Sequence, residues 1–129
     1  MNNVTGHTDY WEIGDLDGYY FEDSYIERIV WTENNLTFTL LVVLRESHER
    51  YTEPPADEQH CYHKATLEFR DVSRCEWQSL NIVPVIDPDG SMDFGNLDSF
   101  VCTKGRYQLS GEWGQVEVES AVPVVRLLD

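Results

Sequence analysis

The sequence predicts an all-β or β-dominated α+β fold, in which residues 1–129 form a single domain built as an antiparallel sandwich or a partly open barrel. Three observations predict it. Leu36 to Leu44 is a long run of strand-forming residues, His60 to Arg70 alternates apolar with polar residues, and the last third contains short apolar runs between turns. No segment carries a helical hydrophobic period longer than about three turns.

Leu36 to Leu44 is expected to be the central strand of a sheet. Because strand side chains alternate between two faces, one face of this run is fully apolar, with Leu36, Phe38, Leu40, Val42 and Leu44. The other face starts with threonines and ends with Leu41 and Val43, so we expect a further layer or a partner to cover its apolar end. The preceding Glu33-Asn34-Asn35 predicts a tight turn and therefore a hairpin.

The segments on either side of this strand are more polar. Ser24 to Thr32 alternates irregularly, which fits either a strand with a bulge or a helical turn that leads into a strand. Arg45 to Gln59 is predicted to be one long polar loop, because Pro54-Pro55 interrupts regular structure. The next strand should be half-buried on the face that carries Cys61, His63, Ala65, Leu67 and Phe69.

The rest of the chain predicts short strands. Cys75 to Trp77 begins an edge strand, and Leu80 to Ile86 contains Pro84, which favours an edge position or a bulge. Lys104-Gly105 and Gly114 separate the strands predicted at Phe100 to Thr103, Arg106 to Trp113 and Gln115 to Glu119, and the chain closes with a strand from Val122 to Leu128.

Net charge restricts the class of partner. The chain carries 24 acidic and 9 basic residues, a net charge of -15. Nucleic acid and anionic membranes are poor partners for such a surface, whereas a basic protein is complementary to it. The same charge also serves solubility. Three cysteines without a CxxC pair, no export signal and no membrane-length apolar run predict a cytoplasmic protein.

The N-terminal segment is the candidate contact surface. Residues 1–23 contain six carboxylates and five aromatic side chains but no lysine or arginine. Aromatic rings supply contact area and carboxylates attract a basic partner, so the candidate partner-binding residues are Asp15, Asp17, Tyr19, Tyr20, Glu22 and Asp23. The alternative is an N-terminal strand and turn whose aromatic side chains cap the core. The loop of residues 45–59 is the second candidate for contact.

No pattern predicts a catalytic residue, a metal site or a cofactor. His60, Cys61 and His63 are metal-ligand types, but on a strand His60 points away from the other two, and no second ligand pair follows. Asp87 to Asp98 has loosely calcium-like carboxylate spacing, with Met92 where the loop requires glycine. The serines and histidines lack a nucleophile-elbow context or partner pattern, and no phosphate-binding glycine loop is present.

Four segments together resemble small bacterial β-rich families. They are Tyr20 to Ile29, the Leu-Thr-Phe-Thr-Leu run from Leu36, Ala65 to Phe69, and Gly111 to Val118 with its Gly-x-Trp-Gly-x-Val-Glu-Val pattern. Some of these families are grouped with the immunity proteins of polymorphic toxin systems, and others are uncharacterised. The usual form of the first segment has histidine before the aspartate, where this chain has Glu22. The resemblance implies a small protein that binds a toxin and blocks it.

The leading functional expectation is a protein-binding inhibitor of the immunity type, without catalysis, that neutralises a basic toxin or effector. One alternative is an acidic nucleic-acid mimic that occupies the basic groove of a nuclease or DNA-binding protein. Another is a small-molecule domain, which requires a concave pocket with polar groups such as His63 beside Cys61. A fourth is a structural partner that docks through the second face of Leu36 to Leu44.

Overall fold

The computed structural model describes residues 7–12, 16–80, 85–86, 92–103 and 105–128. These residues contain no α-helix; two short 3-10 helices, Tyr10–Glu12 and Leu16–Gly18, precede the second strand. The strands are β1 (His7–Asp9), β2 (Tyr19–Thr32), β3 (Asn35–Leu44), β4 (Cys61–Phe69), β5 (Arg74–Leu80), β6 (Val85–Ile86), β7 (Met92–Asp93), β8 (Leu97–Thr103), β9 (Arg106–Gly111), β10 (Gly114–Glu119) and β11 (Val124–Leu127).

Two antiparallel sheets pack as a sandwich, so the predicted all-β class is confirmed. The larger sheet has the strand order β1-β8-β9-β10-β5, and the smaller has the order β11-β4-β3-β2. Strands β6 and β7 pair with each other. Backbone hydrogen bonds also join the sheets at one corner, where Ile26 N–H donates to Gly95 O at 2.9 Å and Phe94 N–H donates to Ile26 O at 2.7 Å.

The core lies between the sheets and follows the predicted alternation. Strand β3 is an interior strand, and its predicted apolar face is completely or almost completely buried. Trp113, in the turn between β9 and β10, connects the two sheets through Phe38 at a ring-centroid distance of 5.4 Å and Trp77 at 6.1 Å. The alternation of β4 is also observed, except that His63 is only half-buried beside Arg50.

The outer face of β3 is covered at its apolar end. Val43 lies in register between Tyr20 of β2 and Tyr62 of β4, and it is buried. Neighbouring strands of the same sheet therefore supply the cover that the sequence left to another layer or to a partner. If the protein docked as a structural partner through this outer face, the apolar area available would be small, because Val43 is buried and Leu41 is half-buried.

A large bulge interrupts β2. Of the two structures predicted for this part of the chain, the strand with a bulge is therefore the one observed. Tyr20 pairs with Val43 and Tyr25 pairs with Leu41, so residues 21–24 face a single residue of β3. A second register shift follows Ile26. Ser24 holds the bulge, because its hydroxyl donates to Tyr20 O at 3.2 Å and accepts from the Val43 N–H at 3.4 Å.

The remaining predicted segments are found close to their expected bounds. Glu33 and Asn34 form the β2–β3 turn, with Glu33 at a φ of 42°. Residues 45–60 connect β3 to β4, and the predicted edge strand is β5. The strand expected from Leu80 to Ile86 is described only at Leu80 and at β6, and Pro84 lies outside the described residues.

Candidate functional site

Two of the six candidate residues, Tyr19 and Glu22, have hydrogen-bond partners within the chain, and Glu22 is half-buried. Tyr19 is buried, and its hydroxyl lies 3.2 Å from His48 Nε2. Glu22 accepts a hydrogen bond from the Tyr10 hydroxyl, which itself accepts the backbone N–H of Phe21 at 3.0 Å. Burial, and then the hydrogen bond to Glu22, raise the pKa of Tyr10 well above its ordinary value. Tyr19 and Glu22 therefore organise the start of β2.

Tyr10→Phe is expected to lower the free energy of unfolding by about 2 kcal/mol, because it leaves the Phe21 N–H and the Glu22 carboxylate without the hydroxyl. Urea unfolding of both proteins measures the loss. Glu22→Gln is the matched control, since an amide oxygen still accepts from Tyr10, and we expect it to cost less. Equal stability of Tyr10→Phe and the unchanged chain would contradict this assignment.

Three of the candidate residues lie at the surface. Asp17 is exposed in the 3-10 helix before β2, Tyr20 is half-buried on the outer face of the smaller sheet, and Asp23 projects from the bulge. Asp23 has a φ of 74°, a left-handed conformation that aspartate tolerates better than most residues. Asp15 lies outside the described residues.

The bulge places two tyrosines on one face. In a regular strand Tyr20 and Tyr25 would point to opposite faces, since they are five residues apart. Here they pair with Val43 and Leu41, which share the outer face of β3. Tyr62 of β4 pairs with Val43 from the other side and completes a row across three strands.

These side chains form what we term the aromatic–carboxylate cluster, consisting of Tyr20, Asp23, Tyr25, His60 and Tyr62. The rings of Tyr25 and Tyr62 are 5.7 Å apart between centroids, and those of Tyr62 and His60 are 5.8 Å apart and nearly perpendicular. The His60 and Tyr20 rings are 6.3 Å apart. His60 Nε2 lies 3.5 Å from Asp23 Oδ2, so the carboxylate lies beside the His60 ring.

The cluster is accessible and electrically negative. Tyr25 is 37% exposed, and the Asp23 side chain is 57% exposed. The pKa of Tyr62 is raised to about 12, by burial first, then by the Tyr25 hydroxyl and by the negative charges of Asp23 and Glu58. Burial and the same Asp23 charge also raise the pKa of Tyr20. A positively charged group would be favoured at this surface.

A cavity of about 390 Å³ adjoins the cluster. Its lining includes Tyr20 from β2 and Arg45, Tyr51, Gln59 and His60 from the long connection. The structure therefore brings together the two segments that the sequence marked as candidate contact surfaces, residues 15–23 and 45–59.

The long connection is bound to the start of β2. The Arg45 N–H donates to Gly18 O at 2.9 Å, and its Nε donates to Tyr19 O at 2.8 Å. The His48 ring packs on Tyr19 at 4.9 Å, and its Nδ1 accepts the Arg50 N–H at 3.0 Å. That acceptor role leaves the proton of a neutral ring on Nε2, which then donates to the Tyr19 hydroxyl. The two bonds of Arg45 hold this residue in the lining of the cavity.

The three metal-ligand side chains of this region have separate partners. Cys61 Sγ lies 3.7 Å from Thr52 Oγ1, His60 contacts Asp23, and His63 Nε2 lies 3.4 Å from an Arg50 guanidinium nitrogen. The residues that the structure describes contain no group of three potential metal ligands. Cys61 lines the cavity with His60 rather than His63, so the pairing of Cys61 and His63 expected of a small-molecule site is not formed there.

A second depression of about 370 Å³ has a different character. It lies between the edge strands β2 and β5 and is lined by Ile29, Trp31, Cys75, Trp77 and Leu80. Burial raises the pKa of the Cys75 thiol, which keeps it protonated and unreactive near neutral pH. None of these five described lining residues carries a charge that could attract a basic partner.

Sequence reasoning missed Tyr25, His60 and Tyr62 as members of the site. The signal for Tyr62 was present, because it belongs to the face of β4 opposite Cys61, Ala65 and Leu67. Tyr25 could not be placed without the size of the bulge.

Comparison with known proteins gives no relative. The chain matches no family model, no curated protein and no solved structure. The similarity to immunity proteins therefore stays a prediction from short segments. Across the described part of the chain, every helix is too short or too polar to cross a membrane.

Proposed function

We propose that this protein binds a basic protein in the cytoplasm and blocks it, in the manner of an immunity protein, and that it catalyses no reaction. The observation that carries the proposal is the aromatic–carboxylate cluster on the surface of a chain with a net charge of -15. A tyrosine side chain has only two rotatable torsions, so it provides a large contact area at low cost in conformational entropy. Long-range attraction by the acidic surface accelerates the encounter with a basic partner.

The distribution of charge supports a local contact site. Several carboxylates of the larger sheet are bound to arginines of this chain; Arg74 pairs with Glu76, and Arg106 pairs with Glu117 and Glu119. Asp23 instead faces a histidine, and Asp17 is exposed. The end of the smaller sheet that carries these two aspartates is where an added positive charge should have most effect.

Charge reversal tests the proposal. The tagged protein is used to capture partners from a lysate of its own source at low and then high salt, and bound proteins are identified by mass spectrometry. We expect one basic protein that is released as salt rises, because screening weakens attraction between exposed charges. Asp17→Lys/Asp23→Lys should weaken its binding roughly 10- to 100-fold, as measured with the purified partner.

Glu33→Lys/Asp71→Lys is the matched control, since it changes net charge equally at two exposed positions at the other end of the smaller sheet, and Asp71 has a positive φ, as Asp23 does. It should retain most of the affinity. Equal losses from both pairs would show that only total charge matters, and absence of a basic partner would refute the proposal. A captured nuclease or DNA-binding protein whose nucleic-acid groove is blocked would identify the protein as a mimic.

A further inference from the structure

The cluster has the components that bind an organic cation rather than a metal ion. Its members present aromatic rings and one carboxylate, that of Asp23, which lies 3.5 Å from His60 Nε2, instead of the several oxygen ligands that a metal ion requires. Aromatic faces attract organic cations, and a carboxylate beside them adds a charged hydrogen-bond acceptor. The surface thus has the two components needed to hold a positively charged side chain.

We propose that the aromatic–carboxylate cluster receives an arginine side chain of the basic partner, with its guanidinium stacked on the outer side of the Tyr25–Tyr62 ring pair and directed toward the Asp23 carboxylate. This inference rests on the proposed function and names the chemical group that the site recognises. A guanidinium is planar, so it stacks on a ring while its N–H groups reach a carboxylate. The compact, strongly hydrated ammonium of lysine matches this arrangement less well.

An intramolecular contact illustrates the same chemistry at one member of the cluster, Tyr20. The Arg45 guanidinium lies over the Tyr20 ring, 5.8 Å from its centroid. The same arginine binds Tyr19 O through its Nε, which holds it in the wall of the cavity. Tyr20 is thus already engaged by a cation of this chain, and the exposed Tyr25 with its neighbour Tyr62 is the surface we assign to the partner.

The neighbouring charges are compatible with an additional cation. Lys64 lies in the next row of the sheet, across Leu41 from Tyr25, and its ammonium is 3.7 Å from Glu27 Oε1. Glu27 therefore offsets the positive charge of Lys64. Asp23 and Glu58 add two negative charges near the Tyr62 ring, and they raise the pKa of Tyr62 after the larger effects of burial and of the Tyr25 hydroxyl.

The inference is tested without the partner, on the full chain. N-acetylargininamide is titrated into protein labelled with carbon-13, and the ring signals of the tyrosines and of His60 are followed by NMR. The lysine analogue and the uncharged citrulline analogue are titrated in parallel. We expect saturable shifts at Tyr25, Tyr62 and His60 with arginine, weaker shifts with lysine and none with citrulline.

Trp31 is an internal control, since its indole is 50% exposed at the far end of β2 and would report any non-specific stacking. Asp23→Asn should weaken the binding of the arginine analogue roughly fivefold or more, and Tyr62→Leu should abolish the saturable shifts. Thermal unfolding of each variant confirms that it is folded. Tyr20→Leu should have a smaller effect than Tyr62→Leu.

Three results would overturn the inference: no saturable shift up to the solubility limit, equal response to citrulline, or equal response at Trp31. If the lysate experiment still captured a basic partner that is sensitive to Asp17→Lys/Asp23→Lys, the proposed function would stand and only the arginine assignment would fail. If the arginine analogue bound and no partner were captured, the cluster would be a cation site without the inhibitory role.

Discussion

Replacing Trp113 with alanine is expected to lower the free energy of unfolding by about 4 kcal/mol. The side chain is completely buried and joins the two sheets through Phe38 and Trp77. Its removal leaves a cavity between the sheets as well as losing apolar burial. Urea unfolding, followed by circular dichroism and with its m-value compared between variants, measures the effect.

Two controls separate packing from other contributions. Trp31→Ala removes the same side chain from a position that is half exposed, so it should cost about half as much or less. Within the described residues the Trp113 indole N–H has no hydrogen-bond partner. Trp113→Phe removes that buried donor and keeps an aromatic ring, so it should cost less than alanine. A loss as large as that of alanine would show that the indole itself is required.

Gly111→Ala is expected to lower the free energy of unfolding by about 3 kcal/mol. A Cβ at this position would lie 2.6 Å from Trp113 Nε1 and only 2.0 Å from the Asn96 carbonyl oxygen, which is backbone and cannot rotate away. The β8–β9 pair would have to separate to admit the methyl group. Equilibrium unfolding in urea, performed on both proteins, gives the difference.

Gln108→Ala is the matched control for this substitution, because Gln108 is exposed on the same strand, β9. It should change stability by no more than about 0.5 kcal/mol. If Gly111→Ala changed the free energy of unfolding as little as Gln108→Ala, the Asn96 carbonyl could not lie as close to β9 as the structure has it.

Two segments that the sequence analysis singled out have different roles in the structure. In Gly111 to Val118, the residues Gly111, Trp113, Val116 and Val118 all belong to the core or to the close approach of strands. The Tyr20 to Ile29 segment differs, because it contains the bulge and two members of the surface cluster in addition to Asp23. Glu22, in the same segment, accepts a hydrogen bond from the Tyr10 hydroxyl.

Most of the fold could be predicted from local pattern. The alternation in β3 and β4 determined which side chains form the core, since a strand has only two faces and one of them here is apolar. Turn residues such as Glu33 and Asn34 marked the ends of the strands. Net charge, which needs no coordinates, determined the kind of partner we propose.

The site depended on contacts between distant segments. Tyr19 and Glu22 were candidates by composition, yet Tyr19 is buried and the half-buried Glu22 accepts a hydrogen bond from Tyr10. Tyr25 and Tyr62 belong together only because residues 21–24 bulge opposite one residue of β3, which changes the face on which Tyr25 lies. Alternation along the chain decides which side chains share a face only while the register is regular. Where the register shifts, hydrogen bonds such as those of Ser24 decide it, and they form only in the tertiary structure.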